Sequence, residues 1–490
     1  MSSVPCQIPT VTRDSRPGRA WRHPHSARAI AAVAALGGLL FGFDTGVISG
    51  ALLFVKTSFA LGSLGQSIAV SAVLVGAVLG SAAAMAVGDR YRRRRLIVVS
   101  AVTFLVGTVV TAVAPDVSVL VAGRAVVGLA IGLSSSIVPV YIAEIAPERA
   151  RGSYVALFQL AITAGIFGAY LVDLGFGVVH GWRWMFLAGV VPALALLLGV
   201  LTLPESPRWL TLRGRAEEAG SVLAELDEPD VAARLADIAA SVERAQTSWR
   251  DLLAPFARRP LLVGLALGIF QQAIGINTVI YYAPTILEFS GFASNTVTLL
   301  ATLGVGAVNV AMTVVALRLI DRLGRRPLLL GGLVPMALAL AAIGLAFEFN
   351  NGALQAIALA SLVVYVGAFA VSWGWGFWLL NSELYPLELR GRGTGLVVMV
   401  QWAANLAVSL TFLLLIDAIG KPATFWIYAG FAALAFAFTA RFVPETNGRT
   451  LEEIERYWRR RARDPSGPRS SAARPSRGLG RPSEASPPRP

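Results

Sequence analysis

Twelve membrane-spanning helices in two halves of six form the all-α membrane fold that this sequence predicts, and three observations carry it. Of 490 residues, 55% are hydrophobic and only 14% charged, with a mean hydropathy of +0.65. A soluble domain keeps about a quarter of its residues charged. The apolar runs number ~12, each close to the roughly 20 residues that cross a bilayer. Three motifs also recur in the same order at nearly equal offsets, which divides the chain in two.

The first six spans are read at 29–54, 67–87, 96–114, 118–143, 153–175 and 183–203. The second six fall at 260–288, 296–318, 327–347, 355–383, 393–416 and 423–443. The expected domains are an N-terminal segment 1–28, a first half 29–203, a linker 204–259, a second half 260–443 and a tail 444–490. The first apolar run is too long for a signal-peptide core and lacks a small-residue cleavage site, so it is read as a retained span. The linker carries Arg213, Arg215, Glu217 and Glu218 followed by an Ala/Leu helical pattern, which predicts short soluble helices. The tail beyond Arg459 is rich in Pro, Ser, Arg and Gly, so the tail is expected to be largely disordered.

The net charge of +13 would raise nucleic acid as a partner of a soluble protein. Here the basic residues crowd into alternate loops: Arg90 and Arg92 to Arg95, Arg149 and Arg151, Arg322 with Arg325 and Arg326, and Arg390 with Arg392. The opposite loops hold chiefly Lys56, Arg183 and Lys421. By the positive-inside rule both termini are expected to be cytoplasmic, in a multi-pass protein of the plasma membrane. The lone Cys6 and the scattered His23, His25 and His180 offer no disulfide framework, zinc site or triad. No cofactor or metal is expected, and no enzyme, since no nucleophile, base and orienter come together.

The repeat fixes the architecture. Asp89-Arg90-Tyr91-Arg92-Arg93-Arg94 matches Asp321-Arg322-Leu323-Gly324-Arg325-Arg326. Glu144, Pro147, Arg151 and Gly152 recur as Glu383, Pro386, Arg390 and Gly391, and Pro204-Glu205-Ser206 as Pro444-Glu445-Thr446. Parallel six-helix halves related by a pseudo-twofold axis are the plan of major-facilitator transporters, with the site between them at the midplane.

At four stretches the resemblance sharpens. They are Gly37 to Thr45 in span 1, Pro204 to Leu210 after span 6, Gln271 to Pro284 in span 7, and Pro444 to Thr450 after span 12. With these the chain resembles the sugar porter family of the major facilitator superfamily, from about Ala32 to Tyr457. Two departures stand out. Arg92 replaces the glycine usual in the first Asp-Arg-x-Gly-Arg-Arg loop, and Gly374-Trp375 replaces the usual Gly-Pro of span 10. The lost proline is expected to alter the bend of span 10, and the added indole to narrow the pocket.

Within the spans, away from their ends, the charged residues are read as only two, Asp44 in span 1 and Arg124 in span 4. Each costs about 2.5–3.5 kcal/mol if left unpaired at the centre. A carboxylate takes up a proton more readily when its cation withdraws. A pair that separates between two conformations is therefore a proton carrier; a pair that never separates only fixes packing. The resemblance implies the carrier, since proton symporters of the family carry Asp where this chain has Asp44 and facilitators usually carry Asn.

A neutral polyol both donates and accepts hydrogen bonds, so amides suit it, and an indole face suits its C–H side. The candidates are Gln159, Gln271, Gln272, Asn277, Asn309 and Gln401, with Trp378 and Trp402 as platforms. By resemblance these match the sugar-contacting positions of bacterial pentose and hexose symporters. Taken singly, an amide also serves as interhelical glue and a Trp as an interfacial anchor. Gln271 and Asn277 lie about 120° apart on a straight helix, so they converge only if span 7 unwinds near Gly275.

Asp89, Arg90, Glu144, Arg151, Glu205, Asp321, Arg322, Glu383, Arg390 and Glu445 are read as ion pairs at the cytoplasmic helix ends that close the inner side. The alternative is orientation signal and solvated surface, which is favoured for Arg93 to Arg95. The expected function is import of a monosaccharide with a proton, through a monomer in the lipid bilayer. A uniporter, an exporter of drugs or organic solutes, and a non-transporting sugar sensor stay open as alternatives.

Overall fold

A computed structural model describes residues 27–146, 151–244, 249–349, 352–385, 389–449 and 451–463. The remaining residues, including Pro147, Pro386 and the segment 1–26, lie outside the described residues. So do the side chains of Arg151, Asp321 and Arg390.

The described chain is helical throughout, with no strand, and 12 of its helical stretches are long and apolar enough to cross a membrane. Spans 1 to 5 are α1 (Ala27–Ser58), α2 (Ser63–Val87), α3 (Arg93–Ala112), α4 (Val117–Ile145) and α5 (Arg151–Gly177). Span 6 is two pieces, α6 (Trp182–Leu187) and α7 (Val190–Val200). The linker holds α8 (Pro207–Leu212), α9 (Ala216–Glu225) and α10 (Val231–Arg244). Span 7 breaks into α11 (Pro255–Ala273) and α12 (Ile276–Phe289); spans 8 and 9 are α13 (Asn295–Leu323) and α14 (Arg325–Phe349). Span 10 breaks into α15 (Leu354–Val371) and α16 (Trp373–Glu383), and α17 (Arg390–Ile419) and α18 (Lys421–Phe442) complete the second half. A last helix, α19 (Leu451–Arg463), follows.

Inside the first half, α1 packs on α5 and α2 on α4; the halves meet through α2 with α17, α5 with α13 and α1 with α12. Leu79, Val106, Val191, Leu198, Leu338 and Leu434 are exposed on the outer surface, where lipid rather than water is their natural neighbour.

Lipid tails are as apolar as leucine, so helix contact rests on close packing through small residues. Gly38, Gly42, Gly46 and Gly50 make a four-residue stripe on α1 that meets Phe158, Ile162, Ile166 and Asp173 of α5. A Cβ on Gly42 would lie 1.9 Å from the Ile162 carbonyl oxygen, so the backbones would have to part. Gly42→Ala is expected to cost about 1–3 kcal/mol, as overpacking does, read as a lower melting temperature in detergent. Gly304→Ala, with nothing within 4 Å, is the control expected to leave it unchanged.

The first part of the tail is helical: α19 buries Ile454 and Trp458, and the Arg459 guanidinium lies 4.4 Å from the Phe256 ring centroid. Apolar residues four apart on one face of a helix give it a surface to bury. Arg92 faces the linker: its guanidinium lies 5.8 Å from the Trp209 ring centroid, and Arg213 lies 5.7 Å from the same ring. Arg213 also donates to the carbonyls of Asp89 and Arg90, at 3.3 and 2.6 Å.

Candidate functional site

Asp44 and Arg124 are brought together. Nη1 of Arg124 donates to Oδ1 of Asp44 at 3.1 Å and Nη2 to Oδ2 at 3.4 Å, a two-pronged contact with both residues buried. Nε of Arg124 has no partner, and the guanidinium sits 5.6 Å from the Phe186 ring centroid on α6. Beside the pair lies a void of about 10 Å³, lined by Phe43, Val47, Phe104, Thr108, Thr111, Val127, Phe186 and Gly189. That is room for one water.

Four of the predicted amides form one cluster in the second half, and the break in span 7 makes it possible. Gly275 adopts φ +91°, a left-handed conformation that costs glycine little. The chain turns there, and Asn277 Nδ2 reaches back to donate to Gln272 Oε1 at 2.8 Å. Gln272 Nε2 donates to Gln271 Oε1 at 3.3 Å, and Gln401 Nε2 from α17 donates to the same oxygen at 2.9 Å. Gln271 Nε2 donates to the Trp373 carbonyl at 3.1 Å. Gln401 Oε1 and the adjacent Trp402 Nε1 are buried without a partner. One acceptor and one donor with nothing to bind are what a hydroxyl supplies and takes.

The Asp44–Arg124 pair and the amide cluster are linked across the halves by a ring contact. Phe41, three residues before Asp44, meets Trp402 with centroids 5.1 Å apart. Trp378 is half-buried against Phe377, and Gln159 is half-buried on α5. Asn309 is placed apart from the cluster, in a close-packed spot with Tyr170, Val279, Ile280, Val305, Gly306 and Val366. Trp375 does not narrow the pocket: it is buried with Ala316 and Leu328, between α13 and α14.

Several residues at the site were not singled out from the sequence. Asn405 Nδ2 donates to Tyr281 Oη at 3.3 Å, and Ser409 Oγ to Asn405 Oδ1 at 3.0 Å. The signal was available, because Asn405 is four residues after Gln401 on the same helical face. Asp173 is a further buried charged residue, near the end of span 5 and so outside the expectation of two away from the span ends. It is 1% exposed, its Oδ2 accepts from the Gly50 N–H at 3.1 Å, and its Oδ1 has no partner. Its place near the end of span 5 disguised it. A single bond accepted from a backbone N–H, with no cation in contact, is one that an amide oxygen makes equally well. Asp173→Asn is therefore expected to keep uptake within about threefold of wild type, a change within the range of a single net hydrogen bond.

At the ends of the helices that follow the Arg-rich loops, each half carries the same network. Arg93 is buried and donates to Asp89 at 2.9 Å and Glu144 at 3.3 Å; Ser206 Oγ donates to Glu144 at 2.7 Å. In the second half Arg325 meets Glu383 at 3.4 Å and Thr446 Oγ1 donates to Glu383 at 2.6 Å. Glu205 accepts from the Ser206 N–H at 2.9 Å and the Arg94 N–H at 3.4 Å, and Glu445 from the Arg325 and Arg326 N–H groups at 3.0 and 3.1 Å. Burial pushes the Glu205 carboxyl above the usual carboxylate range, against the pull of these N–H groups. Arg93 is thus a structural cation rather than solvated surface, while Arg90 and Arg322 are exposed. The Glu144 carboxylate lies against Arg93, which one helical turn separates from Asp89; the Arg151 side chain is outside the described residues.

Comparisons with known proteins cover most of the chain. Residues 30–458 match the family described as Sugar (and other) transporter. A D-xylose transporter of Levilactobacillus brevis is 40% identical over 86% of this chain and 93% of its own length. A galactose-proton symporter of Escherichia coli K12 is 38% identical over 86% of this chain and 92% of its own. The xylose transporter XylE of Escherichia coli, in a partially occluded inward open conformation, superposes with a TM-score of 0.77 at 34% identity, covering 86% of this chain and 99% of that one. The twelve spans, the repeated halves and these likenesses place the protein: the chain is a multi-pass membrane transporter belonging to the sugar porter family of the major facilitator superfamily.

Proposed function

We propose that the chain imports a monosaccharide, a pentose or a hexose, together with a proton, by alternating access to a site between its two halves. The observation that carries this reading is the adjacency of two chemistries. A buried carboxylate on an arginine, able to exchange its cation for a proton, stands one ring contact away from a cluster of amides and indoles suited to hydroxyls. The substrate class follows the named relatives, which are a D-xylose transporter and a galactose-proton symporter.

Asp44 and Arg124 are the coupling pair in this reading. Gln159, Gln271, Gln272, Asn277, Gln401, Trp378 and Trp402 hold the sugar, with Asn309 at its edge. The networks around Glu144 and Glu383 tie helix ends within one half, so each half rocks as a body. On the opposite side Lys56 of α1 and Glu288 of α12 meet at 2.6 Å across the halves, which supports a conformer closed on that side. The positive-inside rule puts both termini in the bacterial cytoplasm. Every residue of this proposed site comes from one chain, which supports a monomer as the working unit.

The experiment is uptake of radiolabelled pentoses and hexoses into proteoliposomes, with and without an imposed pH gradient. Accumulation above the outside concentration only with the gradient is the expected result. Equilibration independent of the gradient would make the protein a uniporter, and no uptake by folded protein would overturn the sugar reading.

A further inference from the structure

Span 10 breaks without a proline. α15 stops at Val371, α16 starts at Trp373, and Ser372 between them has φ −117° and ψ −78°. A break frees backbone carbonyls, and a freed carbonyl away from water needs another donor. Span 7 shows how this chain meets that need. Tyr365 Oη donates to the Ile274 carbonyl at 2.7 Å, and Tyr170 Oη to the Ile280 carbonyl, four residues before Pro284, at 3.2 Å.

At span 10 Ser372 Oγ donates to the Ala368 carbonyl at 2.6 Å, and the donor to the next freed group is Trp375. Its indole Nε1 donates to the carbonyl of Val371, four residues earlier, at 2.9 Å. A proline at position 375 would drive its ring against that same carbonyl and bend the helix by steric force. The indole achieves the same opening by hydrogen bonding, and its ring wedges between Ala316 and Leu328, away from the amide cluster. The residue just past the joint reaches the site. The Trp373 carbonyl accepts from Gln271 Nε2 at 3.1 Å, while the Trp373 indole is anchored on the Leu329 carbonyl at 3.2 Å.

We propose that Trp375 is a positioning residue for the transport site: its indole N–H holds the joint of span 10 open, which fixes the Trp373 carbonyl and through it the orientation of Gln271. It touches neither the amide cluster nor the proton pair. The consequence for sugar affinity rests on reading that cluster as the sugar site; the consequence for the joint does not.

Two substitutions separate the joint from mere space-filling. Trp375→Phe keeps most of the ring and loses the N–H. Trp375→Pro loses the ring but bends the joint unaided, and position 375 is the third residue of α16, where no intrahelical N–H bond is lost. Hydrogen–deuterium exchange of peptides covering 369–376 reads the joint in sugar-free protein. Titration with D-xylose and D-galactose, on protein shown to be folded, reads the site. Trp375→Phe is expected to exchange faster there and to bind sugar roughly three- to tenfold more weakly, the scale of one lost hydrogen bond. Trp375→Pro is expected to be the less heat-stable of the two yet to stay near wild type in both readouts. If proline proves worse than phenylalanine in exchange and affinity, or if phenylalanine matches wild type in both, Trp375 only fills space and the proposal is overturned. If wild type binds neither sugar, the sugar-site reading fails, while the exchange order still decides the joint.

Discussion

Asp44→Asn is expected to abolish gradient-driven accumulation while leaving exchange of sugar across the membrane. With one proton per sugar, a pH difference of one unit sustains at most about tenfold accumulation, since each unit is worth about 1.4 kcal/mol. The variant should fall to a ratio of one, because an amide keeps an acceptor for Arg124 but has no proton to carry. Exchange needs only the sugar-loaded site to alternate, so counterflow should persist within a few-fold of wild type. The variant leaves a buried guanidinium without its counter-ion, and breaking such a pair costs on the order of 3–5 kcal/mol. A melting curve therefore accompanies the assay, and the double variant Asp44→Asn/Arg124→Gln restores charge balance. Continued accumulation in folded Asp44→Asn would reduce the pair to packing and move the proton elsewhere. Among the described residues Asp173 is the other buried carboxylate inside the spans, and its N–H partner at Gly50 is six residues along the same helix as Asp44.

The contrast between those two aspartates shows what sequence carries and what it withholds. Asp44 was legible because a charge at the middle of an apolar run has no cheap explanation, and Arg124 because it offers the matching cation. Asp173 was not, because a charge two residues from a predicted span end reads as interfacial. The twelve spans were legible to within a few residues at most ends, since hydropathy measures the same free energy that sets them. The break in span 7 was foreseen from Gly275 and from two amides that only a broken helix brings together. Span 10 was harder. The sequence shows that Trp375 stands in a position where proline is usual, but not which way an indole turns, and the structure sends it away from the pocket. Helix-end charges were misassigned for the same reason. Each arginine of the run Arg92 to Arg95 looks alike in sequence, yet Arg93 is buried on Glu144, Arg94 donates to the Val200 carbonyl, and Arg92 faces the Trp209 ring. A rotation of 100° per residue sorts them, and only packing fixes its phase.

Gln271→Ala is expected to be the most damaging single change in the amide cluster. Gln271 is its hub: one oxygen accepts from both Gln272 and Gln401, and its amide nitrogen holds the Trp373 carbonyl. Alanine strands two donors and one acceptor in a buried setting, each worth about 1–3 kcal/mol if nothing replaces it. Water can fill part of that loss, so the expected rise in KM is about one to two orders of magnitude. Asp44 and Arg124 lie on α1 and α4 and are untouched, so whatever uptake remains should stay dependent on the pH gradient. Asn309→Ala is the informative comparison. Asn309 packs elsewhere, with Tyr170 and Ile280, so its loss should move KM by no more than about the threefold of a peripheral hydrogen bond. Equal effects of the two substitutions would mean that the sugar spans both places, and that the cluster around Gln271 is an edge of the site rather than its floor. A large loss at Gln271 with gradient dependence intact would place affinity in the second half and coupling in the first, joined where Phe41 meets Trp402.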